Sequence, residues 1–284
     1  MENKIKKIRL DLYLTENGFF PTREKARVAI MEGNVFVNNQ KEDKPGTMIK
    51  EDANVEYRGE KLKYVSRGGL KLEKAAKVFN IDFKDKTCID IGSSTGGFTD
   101  FMLQNGAKKV FAVDCGTNQL DYKLRTDKRV VAMENTNARY LKREDIGDDT
   151  IDFISVDVSF ISLTKILPVI KELLKENGES VLLIKPQFEA GKELVEKNGV
   201  VRDSAIHKEV IKLVVDYCVD SGFDILGLDF SPIKGPAGNI EYLLYIGKQI
   251  ENAKVAGIDF DFGKINEHIG NVVKESHDTL DKEA

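Results

Sequence analysis

The chain has 284 residues, of which 41% are hydrophobic and 32% charged, a composition typical of a soluble globular protein with one large or two smaller domains. No run approaches the 18 apolar residues of a membrane-spanning helix, and no apolar segment follows the basic N-terminus, so we expect neither a membrane protein nor a signal peptide. The three cysteines, Cys88, Cys115 and Cys218, are far apart and form no CxxC pair, which argues against a zinc site or disulfide scaffold and favours reduced thiols in the cytosol.

Charge is distributed unevenly along the chain. The formal net charge is −4, yet residues 1–71 carry a net +4 and the remainder a net −8. This asymmetry places any contact with a polyanion in the N-terminal third.

Residues 8–62 are predicted to form a compact α/β module. A short helix is predicted from Ile8 to Gly18, and a second from its N-cap Thr22 through Met31, closed by Gly33. Strands are predicted at Val35–Val37 and Ala53–Tyr57. The motifs R-L-D-L-Y-L and T-R-E-K-A-R-x-x-I-x-x-G-x-V-x-V-N resemble the S4 RNA-binding domain. That resemblance implies RNA-binding residues that contact phosphates without reading sequence, namely Arg9, Arg23, Lys25 and Arg27, with Arg67 following in the linker.

Beyond a hinge at Ser66-Arg67-Gly68-Gly69 and a helix from Leu70 to Phe79, predicted strands and helices alternate. The strands are 86–91, Lys109–Asp114, Arg129–Met133, Ile151–Asp157 and Ser180–Lys185, and the helices include 97–105, Ile161–Lys175 and Ser204–Ser221. Repeated units of this kind predict a parallel sheet covered on both faces.

Two last strands, Asp224–Phe230 and Ile240–Ile246, are predicted to pair antiparallel, and a helix is possible at Ile265–Ser276. Seven strands that end in such a hairpin resemble the class I, Rossmann-like methyltransferase fold. We therefore expect an S4-like domain at residues 1–62, a linker at 63–69, a methyltransferase domain at 70–250 and a C-terminal extension at 251–284.

The first predicted strand runs into the turn D-I-G-S-S-T-G-G-F, whose glycines let the backbone approach a ligand at a helix N-terminus. The spacing differs from the G-x-G-x-x-G of dinucleotide sites. The leading acid would repel a pyrophosphate but suits the cationic amino-acid end of S-adenosylmethionine. The candidate cofactor contacts are Asp90, Gly92, Ser93, Ser94, Thr95, Gly96, Gly97, Phe98, Asp114, placed to bind a ribose diol, and Asp157.

Reactive side chains are predicted to meet at the carboxyl edge of the sheet, where ligands bind in open parallel sheets. Asp157 and Lys185 each end a predicted strand, and Lys185 is expected to be poorly solvated there. An antiparallel last strand begins at this same edge, so Glu241 can join them, and Lys71 comes from the helix before the first strand.

In order and context, Lys71, Asp157, Lys185 and Glu241 match the K-D-K-E tetrad of the FtsJ-like ribose 2′-O-methyltransferases. With S-R-G-G-x-K-L, V-D-V-S-F-I-S-L and I-K-P-Q-F-E, the chain resembles the TlyA, or haemolysin A, family. The resemblance implies an enzyme that uses S-adenosylmethionine to methylate cytidine ribose in ribosomal RNA or ribosomal subunits. It implies Lys185 as the group that deprotonates or orients the hydroxyl, and no metal. We also expect the protein to be cytoplasmic and a monomer.

Two other functions stay open at this point. A non-catalytic ribosome-assembly factor would keep the fold and lose tetrad residues, whereas all four are present. A membrane-active haemolysin would need a spanning or strongly amphipathic apolar segment, and the sequence contains none that we recognise.

Overall fold

A computed structural model describes residues 7–20, 22–59, 63–249 and 264–281. Its contacts divide the chain into two units, Met1–Leu62 and Lys63–Ala284. The first six residues, where a signal peptide was not expected, and residues 251–263 of the expected C-terminal extension lie outside the described residues.

The described residues of the first unit form two short helices and two small sheets. Its elements are β1 Lys7–Arg9, α1 Leu10–Glu16, α2 Arg23–Met31, β2 Val35–Val37, β3 Gln40–Glu42, β4 Met48–Lys50 and β5 Val55–Tyr57. Strand β2 pairs with β3 and β5, and β1 pairs antiparallel with β4. The predicted N-cap is confirmed, because the Thr22 hydroxyl accepts the Lys25 amide at 3.3 Å. Leu14, Ala26 and Ile30 lie in the small apolar core.

The prediction that the first helix begins at Ile8 is wrong. Ile8 and Arg9 belong to β1, where Ile8 pairs with Ile49, and the helix starts at Leu10. The partner strand lies some 40 residues along the chain, so the local pattern could not indicate the pairing.

The second unit contains one helix ahead of alternating strands and helices. Its elements are α3 Gly69–Phe79, β6 Thr87–Ile91, α4 Gly97–Gln104, β7 Lys109–Val113, α5 Tyr122–Arg125, β8 Val130–Met133, α6 Arg143–Ile146, β9 Ile151–Val156, α7 Leu167–Leu173, β10 Leu174–Ile184, α8 Pro186–Glu189, α9 Ser204–Asp220, β11 Phe223–Phe230, β12 Tyr242–Lys248 and α10 Ile265–Leu280.

The strands form one sheet in the order β11-β12-β10-β9-β6-β7-β8, in which β12 is antiparallel to both neighbours and the other pairs are parallel. Successive side chains of β6 point to opposite faces, so that Ile89 packs in one apolar cluster and Cys88 in another. Helices α3 and α4 supply the second cluster, and α7, α9 and α10 supply the first. The predicted α/β architecture and the final antiparallel pair are confirmed.

The predicted single helix Ile161–Lys175 is wrong. A 3₁₀ turn covers Leu163–Lys165, α7 covers Leu167–Leu173, and β10 begins at Leu174. Pro168 stands in the first turn of α7, where its missing N–H costs nothing, and it cannot donate the hydrogen bond that would continue a helix from Thr164.

Candidate active site

The loop between β6 and α4 folds as it does because two glycines allow close backbone contacts. Gly92 has φ +82°, and a Cβ there would lie 2.4 Å from the carbonyl oxygen of Asp157. A Cβ on Gly97 would lie 2.5 Å from the Ser66 hydroxyl oxygen and 2.8 Å from the Gly69 nitrogen. Only glycine fits at either position, so the loop, the end of β9 and the start of α3 meet at one place.

Asp90 is buried beneath this loop. One carboxylate oxygen accepts the Thr99 amide at 3.0 Å and the Thr99 hydroxyl at 2.7 Å, and the other accepts the Ser155 hydroxyl at 3.1 Å. Burial raises the pKa of Asp90 to about 7, with a smaller contribution from the negative charge of Asp157. The carboxylate therefore fixes the first turn of α4 and sits near its titration point at neutral pH.

A cavity of about 130 Å³ opens at this loop. Its lining consists of Ser66, Gly68, Asp90, Gly92, Ser93, Ser94, Thr95, Gly97, Phe98 and Asp157. Two candidate cofactor residues face elsewhere. A Cβ on Gly96 would point at Leu124 and Leu120, and the Asp114 carboxylate accepts the amides of Ser94 at 2.8 Å and Gly116 at 2.7 Å. Asp114 thus braces the loop from the end of β7.

The four residues of the tetrad form one continuous row. Lys71 Nζ lies 2.6 Å from Glu241 Oε2 and 3.5 Å from Asp157 Oδ2, and Lys185 Nζ lies 2.6 Å from Asp157 Oδ1. The order Glu241, Lys71, Asp157, Lys185 alternates negative and positive groups. Asp157 is shared by both lysines and also lines the cavity.

The two lysines differ in their surroundings. Burial lowers the pKa of Lys71, but the charges of Asp157 and Glu241 outweigh it and the pKa is raised overall. Lys71 therefore keeps its proton at neutral pH. Lys185 contacts one carboxylate and also donates to the Ser159 hydroxyl oxygen at 3.1 Å, which leaves it less enclosed by negative charge. Burial also raises the pKa of Glu241, against the opposing charge of Lys71.

Sequence reasoning missed two aromatic residues beside Lys185. The Phe160 ring is 90% exposed and packs on the Phe188 ring at 4.9 Å between centroids. Lys185 Nζ lies 5.9 Å from the centroid of Phe188. Phe160 has φ +64°, a conformation that is strained for a bulky residue. The only signal in the sequence was their position, three residues after Asp157 and three after Lys185.

In the N-terminal unit, two of the candidate RNA-binding residues share one buried carboxylate. Asp11 accepts Arg9 Nε and Nη2 at 3.0 Å each, and Arg23 Nε at 2.9 Å. The Arg9 guanidinium, ahead of other contributions, lowers the pKa of Asp11. Arg23 is still 52% exposed, so both cations are fixed in place and remain at the surface.

The other three candidates are exposed. Arg27 lies 3.9 Å from Glu24 across one helical turn, and Lys25 occupies the first turn of α2. Arg67 belongs to the second unit and precedes α3.

Comparison with known families gives two matches. Residues 64–248 match the FtsJ-like methyltransferase family, and residues 8–55 match the S4 domain.

Individual relatives match over most of their length. YqxC of Bacillus subtilis, whose name proposes an rRNA methyltransferase, is 50% identical over 97% of this chain and 96% of its own. TlyA of Mycobacterium tuberculosis, named as a 16S/23S rRNA (cytidine-2′-O)-methyltransferase, is 37% identical over 87% of this chain and 92% of its own. A solved Streptococcus thermophilus structure, whose name proposes a hemolysin, is 48% identical, covers 98% of each chain and gives a TM-score of 0.76.

Proposed function

The chain belongs to the FtsJ-like methyltransferase family, and on that premise we propose that it methylates the ribose 2′-hydroxyl of a cytidine in ribosomal RNA. The observation that carries this proposal is the row Glu241, Lys71, Asp157, Lys185 beside the glycine-rich cavity. The activity for which TlyA of Mycobacterium tuberculosis is named supports the choice of acceptor.

The family implies the use of S-adenosylmethionine, and the cavity residues fit it. Asp90 and Asp157 place carboxylates at the cavity for a cationic amino group, and close packing at Gly92 and Gly97 holds the loop that lines it. Asp114 supports this loop from the end of β7 by accepting the Ser94 amide at 2.8 Å. When bound, this cofactor supplies a methyl group activated by a sulfonium.

The chain's own residues prepare the acceptor hydroxyl. A sugar hydroxyl is a weak nucleophile at neutral pH and needs a base or a positive field. We assign Lys185 to take or direct its proton. Among the described residues its Nζ contacts the Asp157 carboxylate at 2.6 Å and the Ser159 hydroxyl at 3.1 Å, at the end of the row. Lys71 stays charged between Glu241 and Asp157 and provides positive potential. General-base action of this kind contributes about 10²–10⁴-fold.

The exposed aromatic pair supports RNA as the substrate. Sequence-specific RNA enzymes often act on unstacked nucleotides, and an exposed aromatic ring can stack on such a base for roughly 1–3 kcal/mol. Phe160, packed on Phe188 beside Lys185, is placed to hold the base while Lys185 faces the sugar.

The S4 unit supplies phosphate contacts. Arg9 and Arg23 are oriented by Asp11 before any RNA arrives, so less side-chain entropy is lost on binding. Such contacts anchor the protein on folded RNA without reading its sequence. The protein then acts where ribosomes are, in the cytoplasm.

The alternatives are less well supported. An assembly factor without catalysis gives no reason for an intact, ion-paired tetrad. The hemolysin name is carried by several of the relatives, but among the described residues no helix has the length and hydropathy needed to cross a bilayer.

The test uses ribosomal subunits from cells that lack the gene, incubated with the purified protein and methyl-labelled S-adenosylmethionine. Mapping 2′-O-methyl groups by mass spectrometry should reveal a modified cytidine. Lys185→Met should lower turnover by about 10²-fold or more while cofactor affinity, measured by calorimetry, stays close to wild type.

The matched control is Lys74→Met. Lys74 lies one turn after Lys71 but pairs with Asp229 at 3.0 Å, outside the row. Wild-type turnover in Lys185→Met, or an equal loss in Lys74→Met, would contradict the assignment. Loss of cofactor binding in Lys185→Met would make Lys185 a structural or cofactor residue.

A further inference from the structure

A buried polar network lies behind Glu241 and has no role in the chemistry described above. His207 on α9 and Tyr242 on β12 are fully buried, and His207 Nδ1 lies 2.7 Å from the Tyr242 hydroxyl. His277 on α10 places Nε2 3.3 Å from the same Nδ1, and its Nδ1 lies 3.0 Å from Asp281. The buried Ser276 hydroxyl lies 3.2 Å from the Tyr242 hydroxyl.

The directions of these hydrogen bonds follow from their partners. His207 Nε2 lies 2.9 Å from the carbonyl oxygen of Val201, which can only accept, so Nε2 carries the hydrogen. Burial lowers the pKa of His207 and keeps its ring neutral. Nδ1 is then an acceptor with a single lone pair, which the Tyr242 hydroxyl fills at 2.7 Å. His277 Nε2 lies 3.3 Å from the same atom, and because Asp281 accepts from His277 Nδ1, Nε2 donates only when the His277 ring carries both protons. The C-terminal helix thus contacts the middle of the fold through His277 at His207 and through Ser276 at Tyr242.

This network surrounds the segment that bears Glu241. Tyr242 follows Glu241 directly, and Val201, held by His207, donates its amide to Asn239 Oδ1 at 3.0 Å. On the other side, Lys234 Nζ lies 2.8 Å from Asp281 at the end of α10. Residues 231–242, which we call the Glu241 segment, therefore contact the end of α10 through Lys234 and Asp281, through Tyr242 and Ser276, and through His207, which lies between Tyr242 and His277.

Little room is left for Glu241 to move. The Ser231 amide donates to the Glu241 carbonyl at 2.8 Å, and a Cβ on Gly235 would lie 2.6 Å from Glu241 Oε1. Glu241 in turn holds Lys71, which reaches Asp157 at 3.5 Å. A displacement of this segment would therefore move Glu241 relative to Lys71 and change the spacing of the charged groups in the row.

We propose that His207 and His277 are positioning residues, which tie the C-terminal helix to the Glu241 segment and so set the place of Glu241 against Lys71. The effect of this connection on catalysis rests on the proposed methyl transfer, whereas the connection between the C-terminal helix and the Glu241 segment does not. A buried network with satisfied partners fixes one geometry, which apolar side chains of the same volume would not do.

The test compares His277→Leu with His277→Gln and with the control Val272→Ala. Val272 is buried on the same helix, packs in the apolar cluster and carries no hydrogen-bonding side chain. The readouts are kcat and KM on ribosomal subunits, cofactor affinity, unfolding temperature, and hydrogen exchange of the Glu241 segment.

His277→Leu should lower kcat about tenfold with KM and cofactor affinity nearly unchanged, since small misplacements of catalytic groups cost up to about 10²-fold. It should also speed hydrogen exchange in the Glu241 segment. His277→Gln, whose amide can donate to His207, should restore most of both. Val272→Ala should lower the unfolding temperature and keep kcat within about twofold.

Tyr242→Phe gives a second test that removes one hydroxyl only, and it should lower kcat about fivefold. The proposal is overturned if His277→Leu and Tyr242→Phe affect only stability, or if Val272→Ala lowers kcat as much as they do. If wild-type protein methylates no ribosomal RNA, the proposed function fails. The connection between α10 and the Glu241 segment is then tested by hydrogen exchange alone, and unchanged exchange of this segment in His277→Leu overturns it.

Discussion

The buried carboxyl of Asp90 makes the stability of the protein depend on pH in a direction that can be measured. Its three hydrogen bonds come from Thr99 and Ser155, and no cation contacts it among the described residues. Burial raises its pKa from 3.8 to about 7. In the unfolded chain the same carboxyl loses its proton near its ordinary pKa.

The sign follows from which state binds the proton. Between pH 3.8 and about 7 the folded protein holds a proton that the unfolded chain has released, so stability falls as pH rises through this window and is level above it. One pKa unit is about 1.4 kcal/mol, so the interval corresponds to a loss on the order of 4 kcal/mol.

Asp90→Asn should remove this dependence. The amide oxygen can accept both Thr99 bonds, and the amide nitrogen can donate to the Ser155 hydroxyl oxygen. At pH 8 the variant should exceed wild type in free energy of unfolding by up to about 4 kcal/mol, and the difference should shrink towards pH 4. Urea unfolding of both proteins at a series of pH values measures it. A difference that is equal at pH 5 and pH 8 would refute the reasoning.

Three further outcomes are expected. Phe160→Gly should relieve the strain of a positive φ and so raise the free energy of unfolding by about 1 kcal/mol, measured by denaturation. It should also raise KM for ribosomal subunits in steady-state kinetics, and an unchanged KM would exclude the base-stacking role. Gly92→Ala should push a Cβ against the backbone of Asp157, and calorimetry should find weaker cofactor binding, with wild-type affinity as the contrary result. Asp11→Asn should release Arg23 and weaken subunit binding, and a salt titration of binding that matches wild type would count against preorganised phosphate contacts.

Much of the sheet was predictable because its strands are short apolar runs with a polar residue at the end. Ile151–Asp157 was predicted and β9 covers Ile151–Val156. The segment after it was not, because Leu173 and Leu174 are both buried and one belongs to a helix and the other to a strand. Apolar periodicity alone does not locate such a switch.

Only part of the candidate site could be predicted from the sequence. Parallel topology brings Asp157 and Lys185 to one edge, so their closeness could be expected from strand ends alone, whereas their roles stay predictions. The bond from Lys185 to Ser159 spans 26 residues, and the exposure of Phe160 depends on a positive φ. Neither feature can be predicted from the hydrophobic periodicity of the sequence. For Phe160 the sequence even favours the opposite, because an aromatic residue in a hydrophobic stretch is more often buried than exposed.

The position of β12 has a consequence for how the protein is made. Among the described strands β12 is the last in chain order, yet it lies between β10 and β11, both of which leave the ribosome before it. Until β12 inserts, β11 has no strand to pair with in the sheet. Glu241, the residue before β12, is then also missing from the row around Lys71. A nascent chain can therefore fold its glycine-rich loop early, but its tetrad is complete only when β12 has joined the sheet, which delays activity until the chain has been synthesised beyond β12.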